Sequence, residues 1–263
     1  MDKTSTTKRI AITGASGGIG RALSLAYATD SVTLFLCGRN EKRLKETAEA
    51  ATQAGAAEVK TDIFDIRDPE SLSEWLASLY EEAPLDLFIV NAGISSANKN
   101  DMLESQEETA RVLETNALAS IDAVRVASDL MLNAGYGHMA IMSSIAALYP
   151  LPSSPAYCAA KAALRVYGLA LGDCLRPHGV SITVICPGYV DTPMSQSLSG
   201  PKPFLWASEK AAAYIKKRLI KKPREIHFPW ILSVGLRLAS LLPHWLGSRI
   251  LRRFAFDLKQ TSR

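Results

Sequence analysis

The chain alternates short apolar runs with longer amphipathic segments from residue 8 to about residue 228. The runs are rich in β-branched residues, and the longer segments repeat their apolar positions every three or four residues, as strands and helices do. This alternation predicts a buried parallel sheet with helices on both faces. Seven strands are predicted, at residues 9–13, 32–37, 58–62, 86–91, 137–143, 181–186 and 225–228.

No linker, internal repeat or low-complexity segment divides this part of the chain. Two predicted helices have recognisable starts, because Asn40 precedes one and Asp68 precedes another that has Pro69 at its first position. We therefore predict a single doubly wound α/β domain of Rossmann type over residues 1–228. A basic and apolar helical extension over residues 229–263 is predicted to follow it.

The composition is typical of a protein from a reducing compartment. The four cysteines form no CxxC pair, and Cys37 and Cys186 lie in apolar runs where cysteine packs as a small hydrophobe. The N-terminal residues contain no apolar signal segment, and the longest late apolar run is about half the roughly 20 residues that a spanning helix needs. We expect a cytoplasmic protein that is neither secreted nor membrane-spanning.

A glycine-rich turn, TGASGGIG at residues 13–20, follows the first predicted strand and opens a helix. In this setting glycines let backbone N–H groups approach a pyrophosphate at the positive end of the helix. A tight turn with no ligand would use the same residues for structure alone. The candidate cofactor-binding residues in the turn are Gly14, Ser16, Gly18, Ile19 and Gly20.

The end of the second predicted strand distinguishes between the two nicotinamide dinucleotides. An NAD site carries an acidic residue there to bind the ribose 2′-hydroxyl, whereas this chain has Gly38 followed by Arg39. A guanidinium can pair with a 2′-phosphate and stack along the adenine. The sequence therefore predicts NADP (NADPH) as the cofactor, with a solvated charge at the helix start as the alternative role of Arg39.

Tyr157 and Lys161 lie four residues apart in a predicted helix and share one face of it. A nearby ammonium favours the phenolate, so the pair can exchange a proton with a carbonyl or alcohol oxygen. The spacing alone also fits an ordinary surface pair. Three strand ends favour the chemical interpretation, since residues 143–144, 91–93 and 187–188 should meet at one edge of the sheet.

In their order and spacing, these motifs resemble the short-chain dehydrogenases/reductases of the classical type over residues 8–195. The matching motifs are TGxxxGxG at 13–20, NAG at 91–93, Asn116, Ser144, YxxxK at 157–161 and PG at 187–188. The resemblance implies that Tyr157 is the general acid/base, and that Lys161 lowers its pKa and holds the nicotinamide ribose. It also implies that Ser144, with Ser143 as its rival, binds the substrate oxygen. Asn116 is implied to position a water that links Lys161 to solvent.

The same resemblance implies further contacts with the cofactor. Asp65 is similar to the aspartate that contacts the adenine amino group; the alternatives are Asp68 in that role, or Asp65 as a loop cap. The backbone of Val190 and the hydroxyl of Thr192 resemble the groups that hold the nicotinamide carboxamide. The implied cofactor-binding set also contains Asn91, Gly93, Tyr157, Lys161, Pro187 and Gly188. The chemistry needs no metal, and the four scattered histidines are expected to be structural or surface groups.

The last quarter of the chain is both basic and apolar, with 14 Lys and Arg against three Asp and Glu in residues 202–263. The resemblance makes residues 189–207 approximately the substrate loop, where residues 204–206 either close over a substrate or anchor the next helix. Residues 229–263 favour either a subunit contact, in a homodimer or homotetramer, or peripheral contact with a membrane surface. No nucleic-acid motif accompanies the charge, and no nucleic-acid partner is expected.

The expected function is NADP-dependent interconversion of a ketone or aldehyde with an alcohol, on an apolar substrate that is lipid-like or steroid-like. One alternative is reduction of a 3-oxoacyl thioester, in which a basic cluster at residues 216–222 would recognise an acidic carrier protein. The other is a sensor or scaffold that binds NADP(H) without turnover. The complete set of Asn116, Ser144, Tyr157 and Lys161 argues against that last alternative.

Overall fold

The computed structural model describes residues 7–95, 104–198 and 200–241. Seven strands of these ranges form one sheet, and two short strands form a separate pair. The strands are β1 (Lys8–Thr13), β2 (Val32–Gly38), β3 (Glu58–Ile63), β4 (Leu87–Val90), β5 (Gly137–Met142), β6 (Val180–Pro187), β7 (Val190–Asp191), β8 (Trp206–Ala207) and β9 (Glu225–Phe228).

The large sheet is parallel throughout and has the order β3-β2-β1-β4-β5-β6-β9. The chain builds outward from β1 to β3 and then continues on the other side of β1 with β4. The direction of winding therefore reverses between β1 and β4, and the crevice outside the carboxyl ends of these strands is where such folds bind ligands. The predicted doubly wound α/β fold is confirmed, with strand ends that differ from the predicted ones by at most a residue or so.

Helices cover both faces of the sheet. The helices of the described residues are α1 (Gly18–Tyr27), α2 (Glu41–Gln53), α3 (Pro69–Glu82), α4 (Gln106–Leu113), α5 (Ala119–Ala134), α6 (Pro155–Leu175), α7 (Pro193–Gln196), α8 (Ser208–Leu219) and α9 (Trp230–Ser240). A π-helical turn, Glu114–Leu118, joins α4 to α5, and 3-10 turns lie at Ile145–Ala147 and Arg176–His178. Within the described ranges, no helix is both long enough and apolar enough to cross a membrane.

Alternation along each strand sends apolar side chains into two separate cores. Ile10 and Ile12 of β1 join a core with α1, α2 and α8, while Ala11 between them joins a core with α3, α5 and α6. The helix starts follow the predicted signals, because the Asn40 side chain accepts a hydrogen bond from the Arg43 N–H and caps α2. Asp68 likewise caps α3. The sheet and the helices on its two faces form three layers, and the carboxyl ends of the strands lie together at one edge of the sheet.

Candidate active site

A cavity of about 790 Å³ opens at the carboxyl edge of the sheet. Its wall combines the glycine turn after β1, the residues that follow β2, β4, β5 and β6, the start of α6, and one face of α9. A volume of this size lies within the range of ligand pockets, roughly 300–1,000 Å³. The predicted site residues that line it are Gly14, Ser16, Gly18, Ile19, Arg39, Asp65, Asn91, Gly93, Ser144, Tyr157, Lys161, Pro187, Gly188, Val190 and Thr192.

The glycine turn depends on the absence of side chains. Gly14 and Gly18 have φ values of +66° and +54°, in the left-handed region that favours glycine. A Cβ on Gly20 would lie 2.3 Å from the carbonyl oxygen of Gly14, which is closer than atoms can approach. Gly20 therefore supports the turn by close packing, and it does not itself line the cavity.

Asn91 fastens the glycine turn to the end of β4. Its side-chain amide donates to the carbonyl oxygens of Thr13 at 3.1 Å and Gly14 at 3.2 Å. The Thr13 hydroxyl accepts in return from the N–H groups of Asn91 and Ala92, both at 3.0 Å. These four hydrogen bonds fix the glycine turn against the end of β4.

Arg39 lies at the rim of the cavity with 55% of its side chain exposed, and it contacts Asp65 at 3.3 Å. Asp65 is held mainly by Arg67, whose side-chain hydrogen bond is the largest cause of a carboxyl pKa lowered to about 2. Asp68, the alternative for the adenine contact, is occupied as the cap of α3. Arg43 also lines the cavity. Sequence reasoning missed Arg43, although its position one helical turn after Arg39 is a usable signal.

The two serines after β5 point to different partners. The Ser143 hydroxyl is buried and donates to the carbonyl oxygen of Lys161 at 2.8 Å. The Ser144 hydroxyl accepts from the Ala146 N–H at 3.1 Å and makes a hydrogen bond with Tyr157. Ser144 lies beside the phenol in the cavity, and Ser143 ties the strand end to the backbone of α6.

Tyr157 and Lys161 both lie on the cavity side of α6. Burial raises the pKa of Tyr157 to about 12, and the hydrogen bond of Ser144 opposes that shift. The Lys161 ammonium lies 5.8 Å from the centre of the Tyr157 ring and donates to the Met142 carbonyl oxygen at 2.9 Å. Burial lowers the pKa of Lys161 to about 8. In the protein alone, the phenol is therefore a proton donor at neutral pH.

Asn116 lies in the π-helical turn, fully buried. Its side chain accepts from the Ile94 N–H at 2.7 Å and donates to the Ile94 carbonyl oxygen at 2.8 Å. Both ends of the amide thus bind the backbone that follows the NAG motif. A Cβ on Gly93 would lie 3.0 Å from the Asn116 oxygen and 3.4 Å from the Lys161 nitrogen. The side chain joins the π turn to β4, a contact that sequence reasoning did not anticipate.

The comparison with known proteins agrees with this geometry. A family model described as "short chain dehydrogenase" matches residues 8–202. The chain belongs to the short-chain dehydrogenase family. The resemblance drawn from the motifs is therefore confirmed.

Relatives of this short-chain dehydrogenase match it over most of its length. An uncharacterised oxidoreductase of Myxococcus xanthus is 31% identical over 243 residues, which cover 92% of this chain and 95% of that one. A short-chain dehydrogenase of Mycobacterium paratuberculosis bound to NAD superposes with a TM-score of 0.73 at 20% identity, covering 84% of this chain and 96% of that one. An alcohol dehydrogenase of Thermococcus sibiricus complexed with 5-hydroxy-NADP has a TM-score of 0.73 at 27% identity, covering 84% and 95%. Since those two structures hold different dinucleotides, likeness of fold does not choose between NAD and NADP.

The glycine turn at the start of α1 and the size of the cavity that it lines fit a nicotinamide dinucleotide. A Cβ on Gly18 would lie 3.3 Å from the Thr192 methyl group, and one on Gly38 would lie 3.1 Å from the Ser16 hydroxyl. Glycine at both positions therefore relieves crowding between the turn and the residues after β2 and β6. The Thr192 hydroxyl also accepts from the Ser195 N–H and caps α7, which holds the segment after Val190 against the cavity.

The segment from residue 189 to residue 207 divides into two parts. Met194, Leu198 and Pro203 line the cavity, as a loop over a substrate would. Trp206 instead packs on Tyr214 and Phe228, with ring centres 5.4 and 4.9 Å away. Phe204 and Leu205 are 52% and 45% exposed and do not line the cavity. Of residues 204–206, Trp206 has the anchoring role, and the cavity contacts lie earlier in the loop.

The inner face of α9 closes the far side of the cavity. The contributing residues are Ile231, Leu232, Gly235, Leu236 and Ala239, and sequence reasoning missed all of them. Their spacing of three or four was the available signal, but it identifies a helix face without saying which surface that face covers. The remaining residues of the extension, 242–263, lie outside the described residues.

Cys186, Glu225 and His227 bring potential metal-ligating atoms within 4.8 Å of one another behind the cavity. Two guanidinium groups already bind the Glu225 carboxylate, those of Arg165 at 2.7 Å and Arg237 at 3.3 Å. These positive charges oppose the entry of a cation. The cluster instead joins β6, β9, α6 and α9, and the expectation that the chemistry uses no metal stays a prediction.

Proposed function

We propose that this short-chain dehydrogenase is an NADP-dependent oxidoreductase that interconverts a ketone or aldehyde with an alcohol on an apolar substrate. The observation that carries the proposal is the convergence of Ser144, Tyr157 and Lys161 with the glycine turn on one cavity. A nicotinamide ring bound there supplies or accepts the hydride. The chain has to supply the proton, orient the substrate and exclude water.

Tyr157 is the proton donor in the direction of reduction. Its raised pKa keeps the phenol protonated, so the proton can pass to the substrate oxygen as the hydride reaches the carbon. The Ser144 hydroxyl, already in contact with the phenol, hydrogen-bonds the same oxygen. The Lys161 ammonium then stabilises the phenolate that is left, because an opposite charge lowers the free energy of the ionised form. In oxidation the same groups act in reverse.

Preference for NADP rests on the charges at the end of β2. Gly38 stands where a carboxylate would repel a 2′-phosphate, and Arg39 and Arg43 bring two guanidinium groups to that part of the cavity. Arg39 contacts Asp65 through one exposed ion pair at 3.3 Å, and such ion pairs contribute about 0–1 kcal/mol to the free energy of folding. The guanidinium can therefore exchange this carboxylate for a phosphate at little cost.

An apolar substrate is supported by the wall beyond the catalytic residues. Ile145, Leu151, Leu198, Leu232 and Leu236 line that end of the cavity. A small polar substrate would leave this surface in contact with water, whereas an apolar one would cover it. The thioester alternative has less support, because Lys216 of the basic cluster donates to the carbonyl oxygen of Ala26 at 2.6 Å.

Exchange of one hydroxyl tests the chemistry. Tyr157→Phe should keep its affinity for NADPH and lose turnover by roughly 10²–10⁴-fold, which is the usual contribution of a positioned acid or base. The readout is NADPH absorbance over a panel of ketones and alcohols. Tyr149→Phe is the matched control, since the buried Tyr149 hydroxyl has no hydrogen-bond partner among the described residues. Turnover in Tyr157→Phe equal to that of the control would contradict the role of Tyr157, whereas no turnover by the wild type over the whole panel would favour binding without catalysis.

Binding of the two reduced dinucleotides tests the cofactor. Arg39→Gln should weaken NADPH binding by about tenfold or more and leave NADH binding unchanged, because only NADPH carries the phosphate that the guanidinium would hold. Titration followed by fluorescence of the reduced nicotinamide gives both dissociation constants. Tighter binding of NADH than of NADPH by the wild-type chain would refute the preference.

A further inference from the structure

Helix α9 has a second apolar face, which points away from the cavity. It is formed by Trp230, Val234, Leu238 and Leu241, which we name the outer stripe; they are 69%, 45%, 59% and 81% exposed. Their spacing of three or four residues places them along one side of the helix. None of the four lines the cavity, whose wall is formed by the opposite face. Single exposed apolar residues are ordinary, but these four, three on α9 and Leu241 directly after it, form an apolar stripe of the kind that marks an interaction site.

The chain around this stripe is strongly basic. Residues 200–241 contain nine Lys and Arg against two acidic residues. One of those two, Glu225, is already bound by Arg165 and Arg237. Lys221 and Lys222 are exposed in the turn before β9, the strand on which α9 packs. The sequence after residue 241 adds five Lys and Arg against one Asp.

Arg237 holds α9 in a fixed position on the sheet. Its guanidinium contacts the Glu225 carboxylate at 3.3 Å and His227 at 3.0 Å, on the strand beneath the helix. The inner face therefore stays on the cavity while the outer stripe faces away from the protein. A preoriented apolar stripe in a basic part of the chain is the combination by which helices lie in the interface of a charged bilayer.

We propose that the outer stripe is a docking surface for an anionic lipid bilayer. The apolar side chains would enter the interfacial region, and the surrounding Lys and Arg would contact the acidic headgroups. Charge decides between this occupant and a second copy of the chain. A symmetric dimer would place the same basic surface against itself, whereas an anionic bilayer neutralises it.

Docking would bring one wall of the cavity to the bilayer, because the two faces belong to the same helix. If the proposed function is correct, an apolar substrate could then reach the cavity directly from the lipid phase. The docking surface itself does not depend on that function.

Sedimentation of the full chain with vesicles tests the proposal. One set of vesicles contains phosphatidylcholine alone, and the other contains phosphatidylcholine mixed with phosphatidylglycerol. The wild-type chain should sediment with the mixed vesicles at low salt, and both added salt and removal of the anionic lipid should release it. Trp230→Glu combined with Leu238→Glu should lower the partition coefficient by roughly tenfold or more, since charge is placed in the apolar contact.

The matched control is Ile63→Glu, which changes an apolar residue of 53% exposure on β3, at the opposite edge of the sheet. It should bind mixed vesicles as the wild type does. The milder pair Trp230→Ser and Leu238→Ser guards against misfolding of the glutamate variant, and circular dichroism and NADPH affinity should be unchanged in it. If the wild-type chain fails to bind NADPH, that result would contradict the proposed function and would leave the docking proposal unaffected.

Four results would overturn the proposal. The first is no sedimentation of the wild-type chain with mixed vesicles at low salt, and the second is an equal loss in the control and the stripe variants. The third is a lipid-free dimer, detected by light scattering, that the stripe variants convert to monomer, because a second copy would then cover the stripe. The fourth is a lipid-free monomer in which Leu238→Cys resists thiol labelling, because residues 242–263 of the same chain would then cover it.

Discussion

Replacing Lys161 by Met should make the protein more stable at neutral pH while it abolishes turnover. Lys161 is 4% exposed, and burial lowers the pKa of its ammonium from 10.5 to about 8. A shift of that size corresponds to about 3 kcal/mol of unfavourable free energy for the charged form in the folded state. The variant also loses the hydrogen bond to the Met142 carbonyl oxygen, which is worth about 1–2 kcal/mol. The net gain in unfolding free energy should be about 1–2 kcal/mol at pH 7.

The sign of this difference should reverse as the pH rises. Between pH 8 and pH 10.5 the unfolded wild-type chain binds more protons at Lys161 than the folded chain does, so the stability of the wild type increases with pH. Above pH 10.5 the lysine is neutral in both states and its burial no longer carries the penalty. The variant, which lacks the hydrogen bond, should then be the less stable protein, with a crossover at about pH 9 to 10.

Urea unfolding at a series of pH values measures the difference. The protein should be free of dinucleotide, because a ligand that binds the folded state alone would stabilise the wild type by mass action. Lys45→Met, at an exposed position of α2, controls for the loss of a lysine as such. A Lys161→Met variant that is less stable than the wild type at pH 7, or a difference that stays constant with pH, would refute the reasoning.

Two further substitutions test positioning. Gly93→Ala should lower kcat/KM by roughly tenfold, because its Cβ would lie 3.0 Å from the Asn116 oxygen and 3.4 Å from the Lys161 nitrogen. Steady-state kinetics measures this effect. Unchanged kinetics would mean that both side chains can shift to make room for the methyl group without loss of activity. Glu104→Ala should lower the unfolding free energy by about 1 kcal/mol, because the Glu104 carboxylate accepts from the Ala156 N–H at 3.0 Å and caps the first turn of α6. Glu104→Gln keeps an acceptor oxygen and should recover most of the loss in thermal unfolding; equal losses in both variants would contradict the capping role.

Local pattern was enough to predict the sheet. Runs such as 32–37 and 181–186 are apolar and rich in β-branched residues, which is typical of buried strands. Because these runs alternate with amphipathic segments, only a few sheet topologies are compatible with the sequence. The predicted strand over 86–91 is shorter in the structure, because Asn91 uses its N–H and its amide on the glycine turn. Motif spacing likewise predicted that Ser144, Tyr157 and Lys161 would lie at the carboxyl edge of the sheet, because ligands of open α/β folds bind outside the carboxyl ends of the strands.

Long-range contacts were not readable from the sequence. Nothing in ETNAL at residues 114–118 signals a π turn, and the partner of the Asn116 amide in that turn is the backbone of Ile94, 22 residues earlier. The lowering of the Tyr157 pKa by Lys161 stays a prediction. Desolvation is the largest influence on the phenol in the protein alone, and its magnitude depends on burial that a sequence does not give. Assembly as a homodimer or homotetramer stays a prediction.

The cavity draws on nearly every segment of the chain, from the turn after β1 to the inner face of α9. A partly folded chain that lacks either end therefore has no complete ligand site, and dinucleotide binding is coupled to folding of the whole domain. A ligand present at about 100 times its dissociation constant would add about 2.7 kcal/mol to the unfolding free energy. The fraction of the chain that is folded would then rise and fall with the concentration of the dinucleotide.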